Sequence, residues 1–294
     1  MPTFVGYNIF SKDKTKLHFK IWDVAQPKIC ICIVHGLGEH SGRYEEWANM
    51  FGEKNIAVAS FDFRGHGLSD GKRGHAFSFH KLYDDIDAFL TEVKRRFPLV
   101  PLVLYGHSLG GSLVLNYYMS GKSYHTSAII VTSPWFKLVN EPSKFLIDFT
   151  MALSRFLPFI TVSNRINPLL LSRDRQIAEE YTKDPLVHNK ISLRLFHEAY
   201  RMGIKASKQA YKLNIPTLIM HGENDAITSS ATSVEFARNT GPFLSLKIWP
   251  EAYHELHHDL CKKMVFQHIL HWLQVNNLYR EDNSPKNVVI QNYY

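Results

Sequence analysis

The pentapeptide Gly106-His107-Ser108-Leu109-Gly110 stands between the apolar run Leu102-Val103-Leu104-Tyr105 and a segment carrying Leu113, Val114, Leu115 and Tyr118 at helical spacing. A serine between small residues at a strand-to-helix turn can be held on a strained elbow with its hydroxyl raised above the sheet. The free N–H groups at the start of the following helix then point at the place where an oxyanion would form. The chemistry this suits is nucleophilic attack by Ser108 on a carbonyl.

A serine hydroxyl is a weak nucleophile until a histidine takes its proton and a carboxylate orients that histidine. In a strand-turn-helix setting the partners follow in the order serine, acid, histidine, each on a loop after a strand. His221-Gly222-Glu223-Asn224-Asp225 follows one strand pattern and Tyr253-His254 the next. Asp225 is preferred to Glu223 because the glycine turn lets the loop extend before the acid. His254 is preferred to His257 and His258, which already approach the last helix. Two backbone donors should complete the set, Leu109 after the nucleophile and Leu37 in His35-Gly36-Leu37-Gly38, the glycine-bearing loop after an earlier buried strand.

The elements that must hold these residues alternate. Tyr7 to Phe10 and Leu17 to Trp22 read as an opening hairpin. Ile29 to Val34 and Ile56 to Phe61 read as strands buried on both faces, Arg43 to Glu53 and His80 to Phe97 as amphipathic helices, and Ala128 to Thr132 as the strand after the serine helix. A strand over Thr217 to Met220, a helix over Val234 to Arg238, a strand over Leu244 to Trp249 and a helix from Leu260 to Val275 close the pattern. This is an α/β chain with a mostly parallel central sheet covered by helices on both faces. Residues 136–214 break the alternation and read as an inserted helical lid over the carboxyl ends of the strands, leaving 1–135 and 215–294 as the core. The polar stretch after Asn276 is expected to be poorly ordered.

The net charge of +7 would suit a nucleic-acid partner, but its distribution argues against one. Residues 136–214 hold 13 Lys and Arg against 7 Asp and Glu, so nearly all the surplus lies in the inserted segment. There it is interleaved with Leu, Ile and Phe, which suits either an anionic membrane surface or a plain solvated face. Phe145, Phe149, Leu153 and Phe156 form one stripe along a helix in this segment, open to two readings: core packing, or contact with lipid where substrate passes. The opening residues lack a secretory pattern, no apolar run is long enough to span a bilayer, and Cys30, Cys32 and Cys261 make no disulfide framework. A soluble cytoplasmic protein, touching membranes peripherally if at all, is the expectation.

Taken together, the runs His35 to Tyr44, Asp62-Phe63-Arg64-Gly65-His66-Gly67-Leu68-Ser69, Gly106 to Gly111, Tyr181 to Leu186, His221 to Asp225 and His254-Glu255-Leu256-His257 resemble the monoacylglycerol lipase and lysophospholipase family of α/β hydrolases. The resemblance implies an α/β-hydrolase fold with an apolar acyl tunnel under the lid and a polar exit for a glycerol-like head group. It places Glu39, Arg43, Tyr181 and His257 around that head group; an ion pair fixing the loop is an equal alternative for Glu39 and Arg43. The activity implied is hydrolysis of the carboxylic ester of a monoacylglycerol through an acyl-enzyme, with no metal and no organic cofactor. Lysophospholipase, general carboxylesterase and peptidase activity are the rivals, and a lipid-binding receptor on the same fold is the reading from another class. Acyl length and oligomeric state carry no sequence signal.

Overall fold

Continuous apolar runs become strands buried on both faces, and segments of helical period cover them. In the computed structural model, which describes residues 3–122 and 126–280, the chain runs β1 Thr3–Phe10, β2 Lys16–Asp23, β3 Cys30–Val34, α1 Glu45–Gly52, β4 Ala57–Asp62, α2 Phe79–Arg96, β5 Leu102–His107, α3 Leu109–Met119, β6 Thr126–Thr132, α4 Lys144–Phe156, β7 Thr161–Ser163, α5 Arg175–Lys183, β8 Lys190–Ser192, α6 Leu193–Gln209, β9 Thr217–Gly222, α7 Ser230–Arg238, β10 Leu244–Trp249 and α8 Lys262–Val275. The main sheet has eight strands in the order β1-β2-β4-β3-β5-β6-β9-β10. β1, β2 and β4 pair antiparallel, and the rest of the sheet is parallel. In β3 the side chains alternate between two cores: Cys30, Cys32 and Val34 face the cluster under α2 and α3, and Ile31 and Ile33 face the one under α1 and α8.

The expected elements all form, with shifted ends. A single 3-10 turn, Ser41–Tyr44, precedes α1, and α7 starts at Ser230, four residues before the apolar pattern begins. The inserted segment carries more than helix: β7 and β8 pair antiparallel, helped by the β-branched Thr161, Val162 and Ile191. Residues 277–280 are not loose as expected of the tail, because Tyr279 is buried and its hydroxyl donates to the Lys54 carbonyl at 3.1 Å. The rest of that expectation, residues 281–294, lies outside the described residues. Among the described residues no helix is long and apolar enough to cross a membrane.

The two long helices of the inserted segment behave differently. α6 is capped by Ser192, whose hydroxyl accepts from the Leu195 amide at 3.0 Å, and it buries Leu195, Ala199, Met202 and Ala206 in the same cluster as the sheet. Asn116 on α3 reaches across to the Met202 carbonyl at 3.1 Å. α4 instead buries only Ile147 and Ser154. Phe145, Phe149 and Phe156 are 81%, 55% and 83% exposed and Leu153 is half-buried, so the stripe is not core. Since α6 shares its cluster with the sheet, Leu195→Ala should destabilise the whole fold by about 2–5 kcal/mol in one cooperative transition. Urea unfolding followed by far-UV dichroism and tryptophan fluorescence checks this, and a separate early transition would contradict it.

Candidate active site

Ser108 occupies the turn between β5 and α3 with φ 53° and ψ −116°, a strained left-handed conformation for a non-glycine residue. Its amide donates to the Thr132 carbonyl at 3.0 Å, and its carbonyl accepts from the Ser112 and Trp135 amides. The elbow closes only because Gly110 has no side chain: a Cβ there would lie 2.1 Å from the Val34 carbonyl oxygen. The positive end of α3 therefore meets the end of β3, and Gly36 packs against the Ser108 Cβ.

The acid and the histidine come from the loops after β9 and β10. Gly222 lets the two approach, since a Cβ would meet the Tyr253 carbonyl oxygen at 2.2 Å. His254 Nδ1 lies 2.7 Å from Asp225 Oδ2, and its backbone carbonyl accepts from the Ser133 hydroxyl at 2.7 Å. Its ring also packs on His107, the residue before Ser108, with centroids 4.8 Å apart. No hydrogen bond joins Ser108 to His254 in this conformation among the described residues. Such contacts commonly tighten only when substrate arrives.

Electrostatics prepare the pair. Burial would depress the His254 pKa, but the Asp225 charge, its hydrogen bond and the nearby Glu255 and Glu39 carboxylates outweigh that and raise it above the usual 6.5. Burial would raise Asp225, yet the His254 charge and hydrogen bonds from His221 and His254 hold it well below the usual carboxylate range. A buried imidazole beside a carboxylate whose ionised form is favoured is the arrangement general-base catalysis needs. His107 stays neutral, pushed down to about 4 by burial and the neighbouring His254.

The Leu37 and Leu109 amides make no hydrogen bond of their own among the described residues, so both can face a developing oxyanion. The Leu37 loop is braced from below. Glu39 Oε1 accepts from the Gly36 amide at 2.5 Å and the Tyr44 hydroxyl at 3.0 Å, and Oε2 pairs with Arg43 at 3.1 Å. Arg43 in turn grips both oxygens of Glu255, at 2.6 and 2.7 Å. It also lies 4.9 Å from the centroid of the Tyr181 ring. This buried network ties the Leu37 loop to the His254 loop, and it contains the Glu39–Arg43 ion pair that was one of the two expectations for these residues.

Tyr181 is buried on α5. His257 stacks on Tyr44 with centroids 4.7 Å apart, and neither of its ring nitrogens has a hydrogen-bond partner. Glu255, His257 and His258 form the cluster whose ligand atoms could converge on a metal. The Arg43 guanidinium already holds both Glu255 oxygens, so a cation there would have to displace a cation. The donor set does not fit a resident metal.

Four residues escaped the sequence reading. Ser133 and Thr228 back the loops of the acid and the histidine, Glu255 closes the Arg43 network, and His221 touches Asp225. A signal existed for two of them. Glu255 directly follows His254, and His221 opens the motif that ends in Asp225.

A profile of the family described as serine aminopeptidase S33 matches residues 25–260. An abhydrolase domain-containing protein of Dictyostelium discoideum is 35% identical over 95% of this chain, which spans 30% of that protein's length. The monoglyceride lipase homolog of Monkeypox virus is 32% identical, covering 90% of this chain and 96% of its own. The crystal structure of the Paleococcus ferrophilus monoacylglycerol lipase superposes with a TM-score of 0.81 at 30% identity, covering 88% of this chain and 99% of that one.

Removing one member of a buried ion network leaves the others uncompensated. Arg43→Ala should therefore cost about 3–5 kcal/mol in urea unfolding at neutral pH, and Arg43→Lys should recover only part, because an ammonium cannot hold both Glu255 oxygens. Glu39 and Glu255 lie below the usual 4.5: burial would raise both, but the Arg43 charge outweighs it. Their contribution is thus present above that pH and lost as pH falls through the lower folded values. The Arg43→Ala penalty should shrink accordingly in acid, and a penalty independent of pH would contradict the network.

Proposed function

We propose, taking as premise that the chain belongs to the hydrolase family described as serine aminopeptidase S33, that Ser108, His254 and Asp225 hydrolyse the carboxylic ester of a monoacylglycerol to fatty acid and glycerol. The chain is a serine hydrolase acting on carboxylic esters, and relatives named monoglyceride lipase or monoacylglycerol lipase, matched along most of both chains, support the substrate. The observation that carries the mechanism is the 2.7 Å contact from His254 Nδ1 to Asp225 Oδ2 beside a serine on a strained elbow.

His254 Nε2 takes the Ser108 proton as Oγ attacks the ester carbonyl, while the Leu37 and Leu109 amides stabilise the oxyanion. His254 then gives that proton to the departing glycerol oxygen. Water, deprotonated by the same ring, releases the fatty acid from Ser108. Tyr181 and His257 are the polar side chains best suited to meet the glycerol hydroxyls. The unpartnered nitrogens of His257 would reward a hydroxyl-bearing head group and penalise one that cannot pair with them.

Ser108→Ala should abolish fluorophosphonate labelling and reduce monoacylglycerol hydrolysis by at least about 10³-fold, with little change in melting temperature. The panel for the wild-type protein comprises a monoacylglycerol, a lysophospholipid and a soluble short-chain ester. The highest kcat/KM should fall on the monoacylglycerol, and preference for the lysophospholipid would overturn the substrate assignment.

The inserted segment reads as the membrane-facing side. Phe145, Leu146, Phe149, Phe156, Leu157 and Phe159 are exposed along α4 and the turn after it, with Lys144 and Arg155 exposed on the same helix against one exposed acid, Asp148. An apolar rim bounded by cations suits insertion into an anionic lipid surface, from which a water-insoluble ester can pass inward. Phe149→Ser should weaken binding to phosphatidylglycerol-containing vesicles and slow long-chain ester hydrolysis while sparing the soluble ester. Equal loss on both substrates would contradict this role.

A further inference from the structure

Asp225 serves two histidines. Oδ1 accepts from the Ile227 and Thr228 amides at 2.8 and 2.9 Å, which fixes the plane of the carboxylate. Oδ2 faces His254 Nδ1 at 2.7 Å, the Thr228 hydroxyl at 2.9 Å and His221 Nε2 at 3.0 Å. His221 is completely buried at the end of β9 and lies outside the serine–histidine–acid relay described above.

The protonation of its ring follows from its contacts. Nε2 faces two acceptors, the Asp225 carboxylate and the Thr228 carbonyl at 3.1 Å, so it carries a proton. Nδ1 lies 2.8 Å from the Ser233 hydroxyl on α7, which can donate to it. A chain of hydrogen bonds thus runs from Ser233 through His221 to Asp225 and on to His254. It is closed to water at every link, since Ser233, His221 and the Asp225 side chain are buried.

We propose that His221 is a positioning residue of the hydrolytic reaction: by donating from Nε2 to Asp225 Oδ2 it aims that oxygen at His254 and limits how strongly the carboxylate draws the His254 proton. The inference rests on the Ser108–His254–Asp225 reading. The two imidazoles and the Thr228 hydroxyl compete for the same oxygen in a low-dielectric site, so each weakens the others' bonds. Without His221, Oδ2 would bind His254 more strongly and the His254 imidazolium would persist to higher pH. The base would then be protonated, and idle, at pH values where the native protein works. The other charged or titratable groups facing His254 are Glu255, Glu39 and His107, and they are left unchanged.

The test is the pH profile of kcat/KM on a soluble ester for the wild-type protein, His221→Leu and His221→Gln. The rate should fall as pH drops through the His254 pKa, which lies above 6.5 in the wild type. His221→Leu removes the donor and should lower kcat/KM at pH 7 by about tenfold while moving the acidic limb to higher pH. His221→Gln keeps an N–H donor near the Nε2 position and should restore most of the rate and move the limb back. If His221→Leu does not fold, Ser233→Ala, which frees the ring at Nδ1, should give a smaller upward shift in the same direction. An unmoved limb in the folded variants overturns the proposal, as does a rate loss that only tracks the fraction of protein able to react with fluorophosphonate. Failure of the triad reading would look different, with the wild-type protein unlabelled at Ser108.

Discussion

A buried carboxylate is tolerable only if it is surrounded by donors, and the catalytic end of this structure is organised around satisfying Asp225. Two backbone amides, two imidazoles and one hydroxyl converge on it. Those donors come from the Asp225 loop itself, the end of β9 and the loop after β10, so satisfying the charge also fixes where these segments lie. The same Thr228 hydroxyl lies 3.1 Å from the Ser133 carbonyl just past β6, the alternative acceptor for its one proton. The same β6 end holds the Ser108 amide through Thr132. A single ionised side chain thereby helps set the position of His254 relative to Ser108.

The second organising charge is Arg43. Its pairing with Glu39 and Glu255 joins the loop after β3 to the loop of His254. The inserted segment locks onto the same loop, since the His188 amide donates to the Gly38 carbonyl at 2.9 Å and His40 pairs with Asp184 at 2.8 Å. The loop carrying Leu37, one of the two proposed oxyanion donors, is thus held between a buried ion network and the inserted segment. Little reorganisation is left for the moment of reaction, which is the condition under which aligned dipoles stabilise charge best.

The parallel sheet was legible because strands such as β3, β4 and β5 are buried on both faces and read as unbroken apolar runs, a pattern with few competing explanations. Chain order and strand-end placement together pointed to the serine, acid and histidine on which the proposed function rests, and the contact between His254 and Asp225 agrees with that order. The β7–β8 pair was not, since three-residue strands carry too little periodicity to be seen. The Phe145 to Phe156 stripe was ambiguous for a different reason: a helical stripe has the same spacing whether it packs inward or faces solvent. His221 and Glu255 were visible as letters within motifs, but their roles depend on contacts between loops that local spacing does not encode.

The claim on which this account depends is that the acyl group passes through Ser108. The direct measurement is acid-quenched turnover of a monoacylglycerol followed by mass spectrometry of the proteolytic peptide containing Ser108. This peptide should carry the mass of one acyl group, added at the serine oxygen and lost on further incubation with water. Sustained turnover with the Ser108 peptide unmodified at every quench time, and the acyl group found on another residue, would contradict it.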